Sequence, residues 1–100
     1  YISKNGLEEM ESFSDRGSVR DKLSKKIEDM RWGRFRGSKN LESIDKVREL
    51  RILGGENIRI YYKLLGKDVY ILKIYEKRYE VPIEELKILD KQEVDQFQDI

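Results

Sequence analysis

The sequence predicts an α+β domain: two N-terminal helices packed on an antiparallel sheet of at least three strands in a meander, followed by a C-terminal helix. Three observations carry this prediction. Val19, Leu23, Ile27 and Met30 recur at spacings of three and four, which places them on one helix face. Val47–Leu53, Ile58–Leu65 and Val69–Glu76 are rich in β-branched and aromatic residues and are joined by short Gly-containing segments, as in hairpins. Pro82 stands just before Glu84 and Glu85, a helix start favoured by proline's fixed φ and by the positive end of the macrodipole.

In chain order, Tyr1-Ile2-Ser3 reads as the end of a strand. Leu7, Met10 and Phe13 fall at helical spacing among Glu8, Glu9 and Glu11, and Asp15-Arg16-Gly17 breaks the pattern. Ser18 is placed to cap the second helix, and Gly33 to stop it. Residues 33–45 read as a connecting loop, with Arg31, Arg34 and Arg36 at its entrance. Gly54-Gly55-Glu56-Asn57 and Gly66-Lys67-Asp68 separate the three strands. Leu86, Leu89, Val94 and Phe97 give the last helix a partial apolar face. No repeat, low-complexity stretch or linker interrupts this order, so residues 1–100 form one domain.

Composition narrows the chemistry. The absence of cysteine excludes disulfides, thiolate zinc sites and cysteine nucleophiles. The absence of histidine excludes Ser-His-Asp catalysis and imidazole acid–base chemistry. No metal ligand set and no small-molecule cofactor motif is present. No apolar run approaches the roughly 20 residues that cross a bilayer, and no signal peptide is visible, so a soluble, cytoplasmic protein without a membrane partner is expected. With 41% of residues charged, the formal net charge of +1 says little, but its distribution is uneven. Residues 46–79 carry nine basic and four acidic side chains, and residues 80–100 carry two basic and seven acidic. A basic centre followed by an acidic tail points to an anion-binding surface in the middle of the chain.

Strand register turns this into a site. Side chains alternate between faces. Leu50 and Ile52, then Ile58, Ile60, Tyr62 and Leu64, then Tyr70, Leu72 and Ile74 must share the buried face, because a one-residue slip would turn each strand over. Leu50 then lies beside Ile60, and Ile60 beside Ile74. The other, solvent-facing side carries Arg51 opposite Arg59 with Tyr75 next in the row, and Glu49, Tyr61 and Lys73 in the adjacent row. This register requires an odd-length second connection, so a three-residue Gly66-Lys67-Asp68 loop is expected rather than a two-residue turn. Like charges directly opposite are destabilising. Either both arginines splay into water, or an anion sits between them, and guanidinium forks suit phosphate oxygens. Tyr61 and Tyr75 offer faces for base stacking. Tyr75-Glu76-Lys77-Arg78-Tyr79 brings two further cations and two phenols toward the Arg59 end, or forms a solvated loop. Trp32 is expected to cover the core.

Arg48-Glu49-Leu50-Arg51-Ile52, Ile58-Arg59-Ile60-Tyr61-Tyr62, the apolar Val69–Tyr75 strand, Lys77, Pro82 and Glu85-Leu86 occur in the order and spacing of the RelE/ParE toxin superfamily, and most of the chain resembles its HigB-like, phage-derived branch. The resemblance implies a RelE-like fold and the toxin of a type II toxin–antitoxin pair. Its partners would be a cognate antitoxin, the ribosome and mRNA, and its activity metal-independent mRNA cleavage. By position, Arg59 matches the sheet arginine that contacts the scissile phosphate. Arg51 and Glu49 fall on the preceding strand, and Lys77, Arg78 and Tyr79 in the C-terminal catalytic segment. In the expected reaction the RNA's own 2′-hydroxyl attacks the adjacent phosphate, which needs a base, cations for the developing charge and an acid for the leaving oxygen. Arg51 and Arg59 supply the clamp. Lys77 is the preferred base, with Lys73, Glu49 and the phenols of Tyr75 and Tyr79 as alternatives; a lysine among cations has a lowered pKa. Arg48, Tyr61, Lys73, Tyr75, Arg34 and Arg36 are expected to contact RNA. A ParE-like gyrase inhibitor and a non-catalytic RNA- or protein-binding domain are the competing readings, since fold does not choose among them.

Overall fold

The helical stripes and strand-like runs become three helices and a four-stranded sheet in a computed structural model that describes residues 1–52, 57–76 and 80–100. The elements are α1 (Lys4–Glu11), α2 (Gly17–Arg31), β1 (Ser38–Asn40), β2 (Arg48–Arg51), β3 (Ile58–Leu65), β4 (Asp68–Glu76) and α3 (Ile83–Lys91). The sheet is antiparallel in the order β1-β2-β3-β4. The α+β arrangement is therefore the one expected, with a fourth strand added at the β2 edge. None of the helices is long and apolar enough to cross a membrane, among the described residues.

Ser3 ties the chain start to the sheet. Its hydroxyl accepts the Gly6 N–H at 3.0 Å, capping α1, and donates to the Leu72 carbonyl at 2.9 Å. Ile2 bridges Ile71 on one side and Gln98 on the other, so the first residues run as a short extended segment beside β4. Ser18 does not cap α2: the N-cap is Arg16, which makes no side-chain cap and instead pairs with Glu76 at 2.9 Å. Gly33 ends α2 as expected, at φ +77°.

β1 lies in the stretch expected to be a loop. Ser-Lys-Asn has little strand propensity, and the strand exists because Gly37 lets the backbone reach β2. Gly37 sits at φ +90°, its carbonyl accepts the Arg51 N–H at 3.1 Å, and a Cβ there would meet the Arg51 carbonyl oxygen at 2.7 Å.

The expected register forms, but the expected loop does not. Leu50 pairs with Ile60 and Ile60 with Ile74, while Leu65 pairs with Asp68 across a two-residue Gly66-Lys67 turn. Only Gly66 of the two has positive φ, at +64°, as in a type II′ hairpin. The parity conflict is resolved by a bulge. Tyr61 pairs with Lys73 but Tyr62 with Ile71, leaving Leu72 as an extra residue in β4. The bulge also exchanges faces: Ile71 joins the helix-side core and Leu72 the opposite side, the reverse of simple alternation.

Two apolar layers result. Ile2, Val19, Leu23, Met30, Leu50, Ile58, Ile60, Tyr62 and Ile74 form the larger core under α1 and α2. Ile44, Val47, Tyr61, Leu72 and Leu86 form a smaller one under α3. The second sheet face is thus roofed by α3 rather than open to solvent. α3 ends at Lys91, so Val94 and Phe97 lie beyond it; Phe97 packs on the smaller core and meets Tyr70 edge-on at 5.8 Å.

Candidate functional site

Register assembles the site on the α3-facing side of the sheet. Arg51 is paired with Arg59 and Arg59 with Tyr75 in one row. Lys39, Glu49, Tyr61 and Lys73 form the next row across all four strands.

The Arg59 side chain is only 10% exposed. Its Nε donates to Glu49 Oε1 at 3.2 Å and its Nη1 to the Ile58 carbonyl at 3.3 Å. Glu49 is equally buried and accepts the Tyr61 hydroxyl on Oε2 at 2.6 Å, while Lys39 Nζ lies 3.7 Å from Oε1. Since the single Tyr61 proton goes to Glu49, the Tyr75 hydroxyl is the donor in the 3.2 Å contact between the two phenols. Their rings stack with centroids 5.6 Å apart. Burial, then the Glu49 bond, then Tyr75 push the Tyr61 phenol far above its ordinary pKa, so it stays a neutral donor. The arrangement is one carboxylate held by a guanidinium, a phenol and an ammonium, in a site largely closed to water.

Glu49 thereby offsets the repulsion between the opposed arginines. Arg59 is neutralised from within by Glu49, while Arg51 is exposed and has no ion-pair partner among the described residues. Only Arg51 of the two points to open surface, a correction to the expectation that both lie outside the hydrophobic layer.

The other sequence-derived residues divide clearly. Tyr61 is 1% exposed and is closed to base stacking. Tyr75 is half-buried against it. Lys73 pairs with Glu9 at 3.1 Å and Glu85 at 3.3 Å, joining α1, β4 and α3. Burial lowers its pKa, but the two carboxylates outweigh this and raise it, so Lys73 remains a cation and is no base. Arg48 is exposed and alternates with Glu49, which puts it on the other face, paired with Tyr62. Arg34 is exposed and 3.9 Å from Asp29, and exposed Arg36 offers its carbonyl to Lys26 Nζ at 3.0 Å; neither contacts the buried network. Lys77, Arg78 and Tyr79 lie outside the described residues. Trp32 does not cover the core: it is 69% exposed, with its indole N–H on Glu28.

No protein-family model, curated protein or solved structure matches the chain.

Two features escaped the sequence reading. Lys39, from the unforeseen β1, reaches Glu49. At the far end of β3, Lys63 is 3% exposed and donates to the Gln92 carbonyl at 2.7 Å, beside an open groove of about 790 Å³. Asp90 closes the same end by accepting N–H groups of Asp45, Lys46 and Val47 at 3.3, 2.7 and 3.0 Å. The available signal was Leu86 and Leu89: an apolar helix stripe needs a second apolar surface, and only the alternate face of the sheet remained.

Proposed function

We propose that this protein is a cytoplasmic RelE-like toxin that cuts mRNA on the ribosome, restrained by a cognate antitoxin covering its basic face. The observation that carries the reading is Arg51 directly opposite Arg59, with Glu49, Tyr61 and Tyr75 gathered around Arg59. The family-like order of motifs and the α+β layout are consistent with it. In this reading Arg51 engages the incoming phosphodiester from the open side and Arg59 completes the clamp, stabilising charge that develops as the 2′-hydroxyl attacks. Tyr61, held in its protonated form, adds no charge to the network and keeps it ordered. Lys77 is assigned the base. Arg34 and Arg36 contribute phosphate contacts that weaken with salt.

The test is translation in a cell-free extract. Added protein should create new mRNA ends within codons, and Arg51→Ala, which leaves the buried network intact, should lower cleavage by about a hundredfold. Intact mRNA in a translating extract, or arrested DNA supercoiling in place of cleavage, overturns the reading.

A further inference from the structure

A buried guanidinium, a phenol and an ammonium converging on one anionic group form a ready oxyanion receptor. Here that group is the protein's own carboxylate. Glu49 takes Arg59 Nε on one oxygen and the Tyr61 hydroxyl on the other, with Lys39 3.7 Å away. Glu49 occupies the Arg59 Nε donor and the Tyr61 hydroxyl that an entering phosphate would use.

We infer that Glu49 is an internal stand-in for a phosphate oxyanion, and that the site opens by exchange of Glu49 for the phosphate of a ligand at Arg59 and Tyr61. The identity of that phosphate as RNA's rests on the function proposed above; the exchange itself does not. Three features support exchange over a purely structural ion pair. The carboxylate comes from a short four-residue strand that pairs directly with the edge strand β1, which carries Lys39 opposite it. Lys39, whose side chain is 63% exposed on the edge strand, already lies beside the same Oε1 and receives the carboxylate when it leaves Arg59. Arg51, exposed and opposite Arg59, offers a first contact for the entering anion. The exchange keeps charge balanced, since one anion replaces another at Arg59 while Lys39 takes the displaced one. A buried guanidinium is costly without a partner, so Arg59 is never left alone.

The probe is inorganic phosphate against chloride at matched ionic strength, read by thermal unfolding. Glu49→Gln keeps the side-chain shape and the Tyr61 contact but removes the charge. Its unfolding midpoint should rise with phosphate concentration and saturate, with an apparent affinity about tenfold or more tighter than wild type, because the internal competitor is gone. The double variant Glu49→Gln with Arg59→Gln should lose the response. If Glu49→Gln does not fold in chloride, recovery of its fold in phosphate carries the same result. A folded Glu49→Gln with no phosphate-specific shift, a shift equal to that of wild type, or failure to fold in either salt overturns the inference. Phosphate binding by Glu49→Gln with no mRNA cleavage by wild type leaves the exchange standing and removes the nuclease. Cleavage by wild type with no phosphate response in Glu49→Gln does the reverse.

Discussion

The two faces of the sheet are built by different rules. The face under α1 and α2 buries Leu50, Ile58, Ile60, Tyr62 and Ile74 against Val19, Leu23 and Met30, and the Tyr62 hydroxyl there meets Ser38 at its margin. The face under α3 has a smaller apolar centre, Val47, Tyr61, Leu72 and Leu86, and buries Glu49, Arg59 and Lys63 beside it. Apolar burial is non-directional and scales with area. A buried charge needs a partner at a fixed position. One face therefore holds the fold, and the other holds a polar arrangement whose stability depends on geometry.

This contrast is sharpest for large-to-small changes. Ile60→Ala empties the middle of the larger core, where Ile60 is fully buried between Leu50 and Ile74, and should cost about 2–5 kcal/mol in denaturant unfolding. Its effect should fall on the whole transition. A loss confined to α3 protection in amide hydrogen exchange would break the distinction between a fold-bearing and a site-bearing face.

Asp90 tests how the α3 roof is fastened. Asp90→Ala leaves the N–H groups of Asp45, Lys46 and Val47 without their acceptor and should cost about 1–3 kcal/mol. Partial burial raises the Asp90 pKa, but the three N–H donors, with Lys63, outweigh this and hold it below the ordinary aspartate value. A carboxyl with a depressed folded pKa stabilises above the unfolded value of about 4, and loses that contribution as pH falls through the folded value. The wild type should thus lose more stability than Asp90→Ala below about pH 4. Parallel acid curves would show that Asp90 is not the fastening.

Tyr61→Phe is the matching change inside the network. It retains the ring stack on Tyr75 but leaves Glu49 Oε2 without the Tyr61 donor, for an expected loss of about 1–2 kcal/mol. In a double-mutant cycle with Glu49→Ala the two losses should not add, because each change removes the same bond. Additive losses would mean that the phenol and the carboxylate are energetically separate.

The legible part of the molecule follows the same division. The pairing of Leu50 with Ile60 and Ile74, and hence of Arg51 with Arg59 and Tyr75, could be read from strand periodicity because the larger core forces it. The Gly66-Lys67 turn also had its own sequence signal. It conflicted with the register only because the bulge at Leu72 cannot be seen in a two-residue alternation. The α3 roof was hidden because Arg59, Tyr61 and Lys63, placed every second residue, look like a solvated face. Charged side chains that are paired or capped by carbonyls sit inside with the same spacing. β1 was hidden because it depends on the close approach at Gly37 and not on its own residues.

Lys63 gives the smallest and most directional test of the comparison. Its ammonium is buried on the α3 face, and burial lowers its pKa more than nearby Asp90 raises it. The folded protein then binds fewer protons than the unfolded chain in the interval between the lowered value and the ordinary lysine value of about 10.5. Stability should rise with pH across that interval, and at neutral pH the charged lysine is a net cost relative to an apolar side chain of similar length. Lys63→Met should therefore be slightly more stable than wild type near neutrality, by under about 1 kcal/mol, and the gap should close as pH approaches about 10. Destabilisation by Lys63→Met at neutral pH would mean that the bond to the Gln92 carbonyl outweighs desolvation. The α3 face would then tolerate buried charge by hydrogen bonding alone, and the pairing of Arg59 with Glu49 would not be required to keep a cation inside it.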